Sequence, residues 1–383
     1  MSSGRDVLVY ADTIRSPELR HEIPIAIGDP FLYGERNGTR HVLISAMEQA
    51  RMRHLSELTL HAPEDYGVDE LIREGKLKRD EITKELLLRA CRTWEIRSAV
   101  VPPSFPVDVA DHLRANGIEV TPDRELFRVR RRAKSEHELA GIRRAQKAAD
   151  AGMTAARELL RATKAKSGRA LLDGEPLTSE RLKRAIEDAF AAHDCTGEEF
   201  IVSHGAQAAI GHHMGAGEIE PGEPIVIDIW PKDRQSGCYA DMTRTFVVGE
   251  PAEELREWHR LCVQALETVT AQIAPGVRTS TLDALACDLF EQHGHPTQRT
   301  KEDGKPLEDG YYHSLGHGVG LEVHEAPSMT ARVDEDELVP RDVVTVEPGL
   351  YRQGWGGCRV EDLILVTENG AETLTDFPYD LHA

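Results

Sequence analysis

Residues 223–249 read EPIVIDIWPKDRQSGCYADMTRTFVVG. Two runs rich in β-branched and aromatic residues, EPIVIDI and TRTFVVG, flank a polar stretch containing glycine, so the segment reads as two strands of a hairpin. Each strand brings an aspartate into apolar company. Asp228 closes the alternating run Ile225, Ile227, and Asp241 stands at the entry to the second strand. A carboxylate buried at a strand end is expensive unless a partner cancels its charge.

Three further residues downstream have the same character: His317 in GHGVG, Glu347 in VTVEPG and Glu361 in RVED. Four carboxylates and one imidazole form a hard, oxygen-rich set. Such a set suits two divalent ions, whereas a structural zinc site favours Cys and His. Four converging acids without a cation would repel and raise one another's pKa values. Paired metals are a recurring means of activating water for hydrolysis. Around these residues, Glu347-Pro348-Gly349 reads as a strand running into a turn, and Gly316 and Gly318 let backbone come close to His317.

The 383 residues exceed one ordinary hydrophobic core, so two domains are expected. Up to residue 132 short apolar strands alternate with helical stretches, as in a small α/β domain. Strands are expected at 24–28, 41–44, 99–102 and 118–120. A capping box of Ser45 and Glu48 opens one helix there, and a second helix runs from Val107 to Arg114. The basic run at 128–139 reads as an interdomain linker feeding a helix capped by Ser135 and Glu138. From residue 133 onward, helices carrying Leu139 to Leu160, Leu182 to Phe190, Leu255 to Val269 and Leu282 to Phe290 group beside hairpin-like strands, giving an α+β domain over 133–383. Gly294 is placed to end the last of these helices.

Composition bounds the partners. Lysine and arginine total 46 against 66 acids, a net charge of −20, which disfavours nucleic acid. Six scattered cysteines without a CxxC pair make neither a disulfide scaffold nor a zinc ribbon. No apolar run is long enough for a bilayer, and the first residues lack the pattern of a secretory leader. A cytoplasmic protein with no membrane association is expected.

The ordered series Asp228, Asp241-MTRTF, His313-SLG-His317-GVGLEV-His324-EAP, Glu347-PG and Arg359-V-Glu361-D resembles the proline-specific pita-bread metallopeptidases, aminopeptidase P and prolidase, over about 200–368. The resemblance implies an α+β catalytic domain of pita-bread (creatinase/aminopeptidase) type with a smaller N-terminal α/β domain. It implies two divalent ions, manganese foremost, with cobalt and zinc tolerated. Asp228, Asp241, His317, Glu347 and Glu361 would be the ligands, with Asp241 and Glu361 shared by both ions. Glu347 would shuttle a proton from water to the leaving amine. His324 would meet the scissile carbonyl, His313 would line the proline pocket, and His212 would contact substrate. Arg359 would orient the ligand carboxylates from behind. Substrates would be peptides with proline in second position, and the chain would form at least a homodimer.

Three departures from the family pattern stand out. Asp228 is followed by Ile229-Trp230-Pro231 instead of Phe-Gly, the stretch to Asp241 is longer than usual, and Gln207 replaces a common asparagine. A non-proline aminopeptidase of the same fold, a creatine-type amidinohydrolase and a catalytically silent peptide-binding module are the alternatives. The intact acid set weighs against the metal-free ones.

Overall fold

The computed structural model describes residues 5–330 and 336–383. The chain separates into two compact units, Met1–Arg131 and Arg132–Ala383.

In the first unit β1 (Val7–Ala11), β2 (Phe31–Arg36), β3 (Thr39–Leu43), β4 (Leu58–His61), β5 (Ser98–Val101) and β6 (Glu119–Pro122) form one sheet in the order β4-β3-β2-β1-β5-β6. Only β2 runs antiparallel to its neighbours; the β1/β5, β3/β4 and β5/β6 pairs are parallel. Helices α1 (Pro17–Glu22), α2 (Ala46–Met52) and α6 (Arg124–Arg132) supply residues to the core on one face. Helices α3 (Val68–Glu74), α4 (Arg79–Thr93) and α5 (Val107–Ala115) supply the core on the other. Strands buried on both faces carry continuous apolar runs, as in Val7-Leu8-Val9, instead of alternation.

That explains several differences from the sequence reading. Residues 24–28 form no strand: the segment is irregular, pinned where Thr13 Oγ1 accepts from Ile27 N at 2.7 Å. Strands β1, β2 and β4 went unmarked, and so did helix α4. Ser45 does precede α2, but its side chain makes no capping bond. The basic run is no linker up to residue 132; it belongs to α6, started by Asp123 Oδ1 accepting from Leu126 N at 3.0 Å and fixed by the buried Phe127.

The second unit opens with α7 (Glu136–Ala162), where the reciprocal capping box expected of Ser135 and Glu138 is formed, with bonds of 3.2 and 2.7 Å. A small meander, β7 (Lys164–Lys166), β8 (Arg169–Leu172) and β9 (Glu175–Pro176), leads to α8 (Ser179–Ala192). Then follow β10 (Cys195–Thr196), β11 (Ile201–His204), β12 (Ile225–Ile229), β13 (Lys232–Asp233) and β14 (Met242–Phe246). A second helix pair, α9 (Glu253–Thr270) and α10 (Thr279–Gln292), precedes β15 (Gly316–Gly318), β16 (Glu325–Met329), β17 (Val343–Val346), β18 (Gly349–Arg352), β19 (Gly356–Arg359), β20 (Asp362–Thr367) and β21 (Gly370–Thr373). Gly294, at φ +82°, follows α10.

The unit therefore has two halves, each a helix pair behind strands. Leu182, Ile186 and Phe190 pack on Ile225 and Ile227 in the first core; Leu261, Leu266 and Leu282 share the second with Val344 and Ile364. Sheet β11-β12-β14 belongs to the first half and sheet β16-β15-β17-β20-β21 to the second. Thr243 and Glu361 join them through an isolated antiparallel bridge. Among the described residues no helix is long and apolar enough to cross a membrane.

Candidate metal centre

The seam between the halves collects the acids. In the first half Asp228 lies opposite Thr243 across the β12/β14 ladder, and Asp241 immediately precedes β14. From the second half come His317 on β15, Glu347 just past β17 and Glu361 just before β20. All five border one cavity of about 350 Å³. His317 Nε2 lies 3.8 Å from Asp241 Oδ2 and 3.6 Å from Glu347 Oε1. One ligand atom each from Asp241, His317 and Glu361 falls within a mutual 4.8 Å.

Local structure explains the placement. A side chain on Gly316 would bring its Cβ to 2.2 Å from Thr345 O, and one on Gly318 to 2.2 Å from Ala326 O. Only glycine lets the flanking strands close on His317. The His317 Nδ1–H donates to Gly318 O at 3.2 Å, which leaves Nε2 free to face the carboxylates.

The electrostatics are those of acids short of counter-charge. Burial, then neighbouring Glu361 and Asp228, pushes the Asp241 carboxyl well above its ordinary range. Burial, with Glu347 and Asp228 nearby, does the same to Glu361. Burial raises Glu347 too, against the pull of Arg359. Burial lowers His317 to about 3, so its imidazole is neutral at neutral pH. Among the described residues Asp241 Oδ1 is buried with no hydrogen-bond partner. An orphaned carboxylate oxygen among raised acids and a neutral imidazole fits a divalent cation.

Among the described residues one guanidinium serves the cluster. Arg359 Nη2 donates to Asp228 Oδ2, Nε to Thr243 Oγ1 at 3.3 Å and Nη1 to Tyr351 Oη at 3.0 Å. Thr243 Oγ1 in turn donates to Glu361 Oε2 at 2.7 Å. Thr243 and Tyr351 escaped the sequence reading. Thr243 stands two places from Asp241 on one strand face, and Tyr351 lies diagonally from Arg359 in the β18/β19 hairpin, whose register pairs Gly349 with Arg359. Those spacings were the available signals.

The three other histidines separate. His212 and His324 border the cavity, and the His324 ring packs edge-on to His317 with centroids 4.2 Å apart. His313 is not part of the cavity wall. Its Nδ1–H donates to Ser314 O at 2.7 Å and its Nε2 accepts from Tyr351 Oη at 2.9 Å, and burial holds it neutral, down to about 3. Trp230, in the sequence that departs from the family pattern, forms part of the wall with Ile201, Met214 and Val323. The longer stretch before Asp241 contains β13 and a turn closed by Asp233 Oδ2, which accepts from Ser236 N at 2.7 Å.

The model of Metallopeptidase family M24 matches residues 140–368. The chain belongs to that family. It is similar to the Xaa-Pro dipeptidase of Pyrococcus horikoshii, 31% identical over 283 residues, 73% of each chain. With the Xaa-Pro dipeptidase of Pyrococcus furiosus it is 36% identical over 176 residues, so the match spans about half of that relative, 46%. Among solved structures, the prolidase from Pyrococcus horikoshii superposes with a TM-score of 0.75 at 25% identity, covering 98% of this chain and 95% of that one. The fold expectation is borne out: this M24 metallopeptidase has the pita-bread fold with an N-terminal domain ahead of the catalytic one. Family M24 uses divalent metals, and Asp241, His317 and Glu361 are grouped so that they could hold such an ion.

Proposed function

We propose that this metallopeptidase hydrolyses the bond between an N-terminal residue and proline, on dipeptides, on longer peptides or on both. What carries the reading is the convergence of Asp228, Asp241, His317, Glu347 and Glu361 on one cavity that also takes in His212 and His324. These five residues would hold two divalent ions, manganese foremost with cobalt and zinc as alternatives, and Asp241 and Glu361 would serve both ions. When bound, such ions lower the pKa of water from about 16 to about 7 and polarise a carbonyl.

The chain's own residues do the rest. Arg359 holds Asp228 directly and Glu361 through Thr243, which keeps the acids in place as substrate arrives. Glu347 takes the proton of the attacking water on a carboxylate oxygen and delivers it to the proline nitrogen as the amide breaks. His324 donates a hydrogen bond to the carbonyl oxygen as negative charge develops there. A bond to proline is a tertiary amide with no N–H, so the ring is gripped by shape. Ile201, Met214, Val323 and Trp230 supply an apolar wall for it, and His212 contacts the substrate from the same cavity. His313 acts at one remove, by holding Tyr351 against Arg359. We read the domains as 1–132 and 133–383, the assembly as at least a homodimer and the compartment as cytoplasm, in keeping with six buried free thiols.

Ala-Pro, Gly-Pro and Ala-Pro-Pro assayed with Mn²⁺ and with chelator test this. Cleavage of at least one, lost with chelator and regained with metal, is expected. No cleavage of any, or cleavage that survives exhaustive chelation, refutes the reading. The pattern among the three peptides separates dipeptidase from aminopeptidase.

A further inference from the structure

We propose that Arg244, together with the C-terminal segment it fastens, is a positioning residue for the metal centre: it sets the spacing between the two halves that supply the ligands. The inference rests on the reading of Asp241 and Glu361 as ligands and goes beyond it.

Side chains alternate across a strand. On β14 Thr243 faces the acid cluster, so Arg244 points to the opposite side, behind the site. There its guanidinium, 1% exposed, spends all five N–H groups on five acceptors. Nη1 donates to Thr243 O at 2.9 Å and Glu361 O at 2.7 Å. Nη2 donates to Asp362 Oδ1 and to Phe377 O, both at 2.8 Å, and Nε to Pro378 O at 2.9 Å. The Tyr379 ring lies 4.7 Å and the Phe377 ring 5.8 Å from the guanidinium carbon. The Tyr379 hydroxyl donates to the second oxygen of Asp362.

The position of these bonds matters more than their number. Asp228 and Asp241 come from one half, and His317, Glu347 and Glu361 from the other. Thr243 and Glu361 are one place where the halves touch, through Glu361 N to Thr243 O at 3.0 Å. Arg244 Nη1 ties those same two residues by their carbonyls. The C-terminal segment spans the seam as well: Phe377 packs edge-on to Phe246 in the first core, and Tyr379 packs against the second. Arg244 thus rivets one strap across both halves at Thr243 and the ligand residue Glu361. Metal–ligand distances keep within about 0.2 Å of their standard values, so a looser seam lowers affinity before it unfolds the chain.

A purely structural role for Arg244 makes a different forecast, and metal affinity separates the two. Arg244→Lys keeps the charge but has too few donors for five acceptors. The metal-stripped variant, shown to be folded by circular dichroism, is titrated with Mn²⁺ by calorimetry beside the parent and Tyr379→Phe. The expected result is binding weakened about 10- to 100-fold in Arg244→Lys, a smaller weakening in Tyr379→Phe, and turnover lost at limiting Mn²⁺ but restored at saturating Mn²⁺. A lower melting temperature with unchanged Mn²⁺ affinity overturns the proposal. If Arg244→Lys does not fold, Tyr379→Phe decides, and parental affinity there overturns it. Asp241→Asn is titrated in parallel. If that variant binds Mn²⁺ like the parent, the ligand assignment has failed, an outcome distinct from failure of the strap.

Discussion

The molecule buries acids in two ways. In the N-terminal unit, Glu22 and Glu35 share Arg130, whose Nη1 lies 3.0 and 2.8 Å from them, while Arg40 approaches Glu22 at 3.2 Å. Tyr33 Oη adds a donor to Glu22 at 3.2 Å. In the C-terminal unit, Asp241, Glu347 and Glu361 face one another across a cavity, and among the described residues the guanidinium beside them, Arg359, bonds Asp228 instead. The first arrangement is closed, because each charge has its partner within the chain. The second is open, and its missing charge must come from outside. A buried acid is evidence for a bound cation when the chain has withheld the arginines that would otherwise neutralise it.

Substitution on each side should break the comparison if it is wrong. Asp241→Asn is expected to lower Xaa-Pro cleavage by more than about a hundredfold, beyond the loss of a merely supporting partner, without lowering the melting temperature of the metal-free protein. Glu22→Gln should do the reverse. Cleavage stays within about twofold while denaturant melts show a loss of about 1–3 kcal/mol, because Arg130 loses a charged acceptor. Equal effects from the two would erase the distinction. A smaller effect on turnover is expected from His324→Ala: kcat falls about a hundredfold, with metal content by elemental analysis unchanged. Loss of metal from that variant would make His324 a ligand.

The smallest effect is one of pH on the stripped protein. Asp241, Glu347 and Glu361 have folded-state pKa values above their unfolded values of 3.8 to 4.5, with Glu347 near 8. Groups raised in the fold stabilise it below the unfolded value, and that contribution is lost as pH rises through the folded one. Metal-free protein should therefore melt about 4 °C or more lower at pH 8 than at pH 5, and added Mn²⁺ should abolish the slope. A flat profile without metal would mean that the acids are not in mutual conflict.

The open site was far more legible than the closed one. Asp228 and Glu347 each end an apolar alternation, which is visible in a single sequence because the strands bearing them carry a period. The N-terminal sheet is buried on both faces, so β1 and β2 lack that period, and the apolar run at 24–28 drew the assignment that belonged to them. The basic run of α6 read as a linker because Arg130, for one, has its partners Glu22 and Glu35 about a hundred residues away. His313 illustrates the same limit. Its motif neighbourhood placed it among the substrate residues, but whether an imidazole faces a cavity or stands behind a tyrosine depends on the β18/β19 hairpin that carries Tyr351. Thr243 and Tyr351 are legible only once strand faces and register are known.

Stoichiometric titration of the stripped chain with Mn²⁺, with Ala-Pro cleavage followed in the same samples, bears most directly on the open acid cluster. Binding should saturate at two ions per chain, and activity should rise with occupancy from a negligible baseline. Full turnover before any ion is added, or no saturable binding, would contradict the account.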